Sequence, residues 1–293
     1  MTSLIADETG VYAKLFIDGA EAATADAQDI ALNATKTFSF NYTLPSTNGT
    51  YAAQIKVYFS DDTEAFATAI SNIVVDYPSL SLYETDASLD LTAGTYNVKL
   101  DHDFVAGWNT VCLPFEAQVS QIDENAVAYA FTGFNSTTKE LTFTKVTTLT
   151  AAQPYVVYTP TAFTTDLQFN GVAITDESIT AGAATFNEAT FQGTYVKKVA
   201  GEMTDNYGIT SEGKIAKGTA QATMMGFRAY FELPAGGAAR LTFVNEDGTT
   251  TSIMSTELNK QDAENIYNLQ GQKVTKTSKA GLYIKNGKKV IVK

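Results

Sequence analysis

The chain has 293 residues, with 32 acidic side chains against 20 basic ones, a formal charge of −12, one histidine and one cysteine. That balance excludes a nucleic-acid partner, whose phosphates need a basic footprint, and the lone Cys112 excludes an internal disulfide. No run of about eighteen apolar residues occurs, so no membrane-spanning helix is expected.

The apolar fraction, 44 %, is ample for real cores. With 17 Phe, 15 Tyr and abundant Thr, and few strong helix runs, it points to an all-β protein. In residues 11–17, Val11, Ala13, Leu15 and Ile17 alternate onto one face of a strand that turns at Asp18-Gly19. Phe38, Phe40 and Tyr42 alternate in the next expected strand, which stops near Pro45. After Asn48-Gly49, the residues Tyr51, Ala53, Ile55, Val57 and Phe59 share a face; Asp61-Asp62 makes a turn, and 70–75 is a fifth apolar run. Strands at this spacing, punctuated by turn dipeptides, predict an immunoglobulin-like β-sandwich over residues 1–77. Five strands are fewer than the usual seven, so either this sandwich is minimal or its first strands lie upstream.

Tyr77-Pro78 breaks the pattern, and a second, larger β-sandwich is expected over residues 78–248. Its densest segment, 96–115, reads as a strand, a turn at Val105-Ala106-Gly107 and a second strand stopped by Pro114. Ser120 with Asp123 has the spacing of a capping pair opening one short helix. Further strands are expected at 141–143, 155–158, 167–169 and 190–195. In 226–233, Phe227, Ala229, Phe231 and Leu233 oppose Arg228, Tyr230 and Glu232, and 241–244 with a turn at Asp247-Gly248 closes the unit.

Residues 249–293 form a polar link followed by a C-terminal β-meander of four short strands with a hairpin at Asn286-Gly287. The last 29 residues hold seven lysines and no acid, so all 32 acids lie upstream. A basic tail on an acidic body is either a solvated Lys-rich edge that discourages strand pairing or a segment that docks on an anionic surface.

Several of these segments carry a resemblance. LFIDG…TFSFNYTLP…GTYAAQIKVYF resembles the small immunoglobulin-like modules of bacterial surface proteins. GWNTVCLPF, QPYVVYTP and GFRAYFELP are similar to a module of Bacteroidota cell-surface proteins, many of them grouped with adhesins. The C-terminal NIYNLQGQKVTKTSKAGLYIKNGKKVIVK resembles the tail that often follows that module, a shorter relative of the sorting domains of type IX secretion. The resemblance implies an extracytoplasmic, cell-surface or secreted β architecture; it is not specific for a function, and a protein or glycan ligand at the cell surface is the expected partner. MTSLIADETG has neither the basic nor the apolar region of a secretory leader, so export would imply further residues upstream of Met1.

Candidate chemistry is sparse. Alternation sets Asp101 and Asp103 on one face of a strand end and His102 on the other, which is awkward for a shared metal, and a surface position is expected for the imidazole. Cys112 sits in an apolar run and reads as a small buried hydrophobe. No nucleophile elbow or phosphate-cradling glycine loop is present, and the acid clusters near 61–64, 123–124 and 245–248 read as turns. No catalytic residue, metal or cofactor is therefore expected. Trp108 is the weak candidate for ligand binding: an exposed indole stacks on sugar faces, whereas a buried one packs the core. Tyr129, Tyr155, Tyr158, Tyr195, Tyr207 and Tyr230 could line the same face or fill the sandwich. The expected function is a non-enzymatic structural or adhesive role, binding a host, matrix or cell-surface ligand or displaying an upstream domain. The alternative is a carbohydrate-binding accessory region of a polysaccharide-processing protein.

Overall fold

A computed structural model describes residues 7–164, 166–209, 215–234, 240–245 and 248–254, and the strand residues 266–267, 273–274, 281–285 and 288–292. The fold is all-β. Packing divides the chain into two compact units, Met1–Pro78 and Ser79–Lys293.

In the first unit β1 (Glu8–Ile17), β2 (Ala20–Ile30), β3 (Gly49–Tyr58), β4 (Glu64–Ala67) and β5 (Ser71–Val75) form one antiparallel sheet. β3 is its spine: one edge pairs with β1, and the other pairs with β5 at its start and β4 at its end. Val11, Ala13, Ala25, Ile30 and Val57 make the core face. The Asp18-Gly19 hairpin forms as the sequence implies, with φ of 49° and 81°, the left-handed pair that a tight two-residue hairpin requires.

Two expectations for this unit change. The strand after that hairpin is β2, not the Phe38–Tyr42 segment. β2 reads AEAATADAQDI, a composition depleted from strands, and it serves as a sheet edge that buries little beyond Ala25 and Ile30. Residues 36–45 pair with no strand; Phe38 and Phe40 instead pack against the core of this one sheet, where an immunoglobulin-like sandwich would place a second sheet.

The second unit is built on a six-stranded sheet. In spatial order it runs β21 (Thr250–Met254), β20 (Arg240–Val244), β11 (Glu140–Val146), β10 (Val127–Asn135), β13 (Pro154–Thr159) and β8 (Gly107–Cys112). A three-stranded sheet holds β14 (Leu167–Ile174), β7 (Gly94–Asp101) and β6 (Ser79–Tyr83). A five-stranded sheet holds β15 (Ala183–Phe186), β16 (Ala189–Thr194), β19 (Arg228–Glu232), β17 (Tyr207–Ile209) and β18 (Ile215–Lys217). A short pair, β9 (Ala117–Gln118) and β12 (Thr148–Leu149), closes one corner.

Side chains of the six-stranded sheet alternate between two cores. Ala128, Tyr155 and Val157 join Leu82, Val98, Leu100, Phe169 and Ile174 from the three-stranded sheet. Tyr129, Phe131, Phe143, Val156 and Phe243 join Phe191, Tyr207, Ala229 and Phe231 from the five-stranded sheet. The middle sheet is thus covered on both faces, which is why β13 reads as an apolar run without polar alternation. In the second core Phe191 stacks on Phe231, while Phe143 tilts against Phe243 and meets Phe191 and Phe231 edge to face, each such pair adding about 0.5–1.5 kcal/mol beyond burial.

The helix expected from Ser120 and Asp123 shrinks to a single 3-10 turn, Val119–Gln121. The Gln121 carboxamide oxygen accepts from the Gln118 amide, while Asp123 turns away to accept from the Asn125 amide in a local Asx turn. In the tail, β22 (Ile266–Tyr267), β23 (Lys273–Val274), β24 (Gly281–Lys285) and β25 (Lys288–Val292) form a four-stranded antiparallel sheet. The turn expected at Asp247-Gly248 joins β20 to β21: Gly248 takes φ of 77° and its amide donates to the Asn245 carbonyl (3.0 Å), while Asp247 itself is outside the described residues. The Asn286-Gly287 turn and the docking of the tail lysines lie outside the described residues.

Candidate binding groove

Trp108 is positioned by its neighbour Asn109. The Asn109 oxygen accepts from the Val105 amide (2.9 Å), and its nitrogen donates to the Val105 and Gly107 carbonyls (2.9 and 3.1 Å). Thr159 on β13 donates to the same Val105 carbonyl (2.8 Å). These bonds fix the 105–107 turn, where Gly107 takes φ of 104°, a conformation side chains disfavour. Trp108 leaves this turn half-buried, stacked on Phe243 with Tyr129 and the exposed Tyr158 against its edges. The two readings of Trp108 therefore merge: part of the ring seals the core and part remains open.

Opposite it stands Arg228, placed by a kink at the start of β19. The Gly226 amide donates to the Glu84 carbonyl (2.7 Å), and the Cys112 amide donates to the Phe227 carbonyl (3.0 Å). Gly226 passes so close to the Tyr195 carbonyl that a β-carbon would collide with it. Phe227, fully buried, takes φ of 54°, a strained value for a bulky residue, held by packing on Tyr195. The kink aims the Arg228 guanidinium so that one nitrogen, Nη2, donates both to Glu84 Oε2 (2.7 Å) and to the Asp103 carbonyl (2.6 Å).

Behind that pair lies His102, whose side chain is fully buried, against the surface position expected for it. The chain turns inward just after β7 and packs the imidazole edge-on against Phe104, ring centres 4.5 Å apart. Nδ1 is 3.3 Å from Glu84 Oε2, yet among the described residues neither ring nitrogen makes a hydrogen bond. Burial first, and Arg228 second, hold the His102 pKa well below its ordinary value, so the ring is neutral. Burial raises the Glu84 carboxyl, and Arg228 opposes that rise.

Trp108 and Arg228 face one another across a cavity of about 280 Å³, also lined by Val105, Asn109, Thr110, Ile209, Thr223, Met224 and Met225. A second cavity of about 250 Å³ adjoins it and shares the wall of Ile209, Thr223 and Met224; Met203, Ala216, Lys217 and Thr219 complete it. Among the described residues neither lining contains an acid. Lys217 pairs with Asp205 at 2.9 Å.

The other residues considered in the sequence lie elsewhere. Cys112 is fully buried, its thiol within 3.4 Å of the Ala152 carbonyl, and burial pushes its pKa up to about 12. Tyr129, Tyr155, Tyr195, Tyr207 and Tyr230 are core residues, leaving only Tyr158 of that set exposed. No cluster of three or more metal-ligating side chains occurs among the described residues, and no described helix is long and apolar enough to cross a membrane. Arg228 was legible only as the polar side of a strand; its signal is that it is one of just two arginines and interrupts an apolar run.

No family model matches this chain. No curated protein matches it either. Among solved structures, the Bacteroides ovatus mixed-linkage glucan utilization locus SGBP-B, in complex with a mixed-linkage heptasaccharide, aligns at 13 % identity over 87 % of this chain, with a TM-score of 0.16. The chain spans 65 % of that structure's length. A likeness this slight bears on neither fold nor ligand.

Proposed function

We propose that this chain is a non-enzymatic cell-surface or secreted protein that binds an extracytoplasmic ligand in the groove between Trp108 and Arg228, in an adhesive role. One observation carries the reading. GWNTVCLPF, QPYVVYTP and GFRAYFELP contribute β8, β13 and β19, and these strands meet: β8 pairs with β13, while Thr110 on β8 accepts from the Ala229 amide of β19. Two of the segments on which the resemblance to Bacteroidota surface proteins rests thus line the groove, through Trp108, Asn109 and Thr110 of β8 and Arg228 of β19, and the third, β13, backs β8 as its sheet neighbour. Part of the Trp108 ring opens into the groove, and mixed apolar and hydrogen-bonding linings of this kind suit recognition. Cys112 and His102, the side chains best suited to nucleophilic or acid–base work, are buried in packing roles.

The test is binding of labelled protein to an immobilised panel of glycans and matrix proteins, with Trp108→Ala and Trp108→Phe as comparators. Capture of at least one panel member by the native protein, lost in Trp108→Ala and weakened in Trp108→Phe, supports the reading. Equal capture by all three proteins, or none by any, refutes it.

A further inference from the structure

Resting on that reading of the groove, we infer that its ligand is an uncharged polysaccharide chain, and that Glu84, by cancelling the charge of Arg228, discriminates against acidic glycans. Three features point there. First, the two cavities adjoin along Ile209, Thr223 and Met224, which suits consecutive rings of a chain better than a single small molecule. Second, Trp108 offers an apolar ring surface beside hydrogen-bonding groups, the combination a sugar requires, with C–H faces on one side and hydroxyls on the other. Third, Arg228 commits only Nη2 to Glu84 and Asp103; among the described residues Nε and Nη1 have no acceptor, so three N–H groups remain to donate to hydroxyl oxygens.

Electrostatics then decides the class of sugar. Among the described residues, both cations that line the groove are compensated, Arg228 by the buried Glu84 and Lys217 by Asp205. His102, behind the first pair, is neutral. The chain as a whole carries −12. A uronate carboxylate entering here would meet a cancelled cation within a negative protein and lose its hydration without gaining a counter-charge. A neutral ring incurs no such cost. Glu84 is thus a positioning residue: it touches no ligand, holds the guanidinium in place and sets the local charge.

The experiment follows the emission of the single tryptophan during titration with neutral hexasaccharides (β-glucan, xylan and mannan series) and with hexagalacturonate, at low ionic strength. At least one neutral hexamer is expected to shift the emission and to bind at least about tenfold more tightly than hexagalacturonate. In Glu84→Gln, which leaves Arg228 uncompensated, the ratio should move by about tenfold or more toward hexagalacturonate. Arg228→Lys keeps the charge pair but loses the fork; it should weaken neutral binding while leaving the ratio unchanged. Far-ultraviolet dichroism confirms that each variant is folded. If hexagalacturonate binds the native protein as tightly as any neutral hexamer, or if Glu84→Gln leaves the ratio unmoved, the inference is overturned while the groove survives as a binding site. If no panel member, glycan or protein, alters Trp108 emission, the groove itself is refuted as the site.

Discussion

The indole of Trp108 lies nearly parallel to the ring of Phe243, with centroids 4.1 Å apart and planes 15° from one another. Trp108 opens β8 at one edge of the six-stranded sheet, and Phe243 belongs to β20, with β13, β10 and β11 between them. Rings so far apart in strand order can touch only if the sheet curls strongly, as twisted sheets of this size do. Tyr129 reinforces the curl by donating its hydroxyl to Asn245 just after β20 (2.9 Å). Trp108 therefore fastens the curl from within as well as lining the groove. Trp108→Ala should cost about 2–4 kcal/mol, the low end of core aromatic truncation because the ring is half-exposed. Trp108→Phe, which can still stack, should cost about half as much. Urea denaturation of the two variants measures the difference, and equal costs would show that the stack contributes nothing specific.

Arg228 and Glu84 should behave as a coupled pair. Removing the guanidinium alone, in Arg228→Met, strands a carboxylate that is 5 % exposed and should cost about 3–5 kcal/mol. Adding Glu84→Gln to the same chain should recover more than half of that loss, because the uncompensated charge goes with it. A double-mutant cycle reads the coupling; additive costs would mean that the pair is solvated.

Stability should fall on the acid side through His102. Its folded pKa lies below the unfolded value near 6.5, so the unfolded chain takes the proton first. The stabilisation is complete above pH 6.5 and declines as the pH drops below it, with a limiting slope of about 1.4 kcal/mol per pH unit for one group. Glu84 acts in the opposite sense: its folded pKa is raised above 4.5, so its contribution is full below 4.5 and is lost as the pH rises through the folded value. Removing the imidazole in His102→Gln should flatten the profile between about pH 6.5 and 5. A variant whose profile matches the native one in that window would place the titration elsewhere.

Cys112 should be chemically silent in the folded protein. With no exposure and a thiol pKa near 12, it presents almost no thiolate at pH 8. Iodoacetamide should label it only after denaturation, and labelling at the same rate in native buffer would contradict its burial. The site is also tightly packed: a β-carbon on Gly193 would collide with the Cys112 sulfur and come within 3.0 Å of the Gly182 carbonyl. Gly193→Ala should therefore cost about 1–3 kcal/mol. Cys112→Ala should restore only part of it, since the carbonyl remains.

Much of this architecture was legible in the chain, for stated reasons. Alternation located β1 and β3, and the Asp18-Gly19 turn was found because left-handed pairs demand such residues. β2 escaped because its alanines and acids lack β preference; it is a strand only because β1 pairs with it. Phe38 and Phe40 have the period of a strand without a ladder, since packing on the core asks the same alternation of an unpaired segment. Residues 96–115 read as neighbouring strands, yet β7 and β8 join different sheets, a choice set by partners far along the chain. Trp108 was legible as a candidate, but its partner was not. Arg228 meets Glu84 across 144 positions, and no local pattern predicts a contact between two strand ends brought together by three layers of sheet.

The most direct measurement is acrylamide quenching of Trp108 emission with and without a saturating ligand taken from the glycan panel. If the ligand lies in the groove between Trp108 and Arg228, the indole is shielded and its quenching constant falls by at least about half, with the loss abolished in a protein that no longer binds. An unchanged quenching constant under saturating ligand would place the ligand elsewhere and contradict the assignment of this groove.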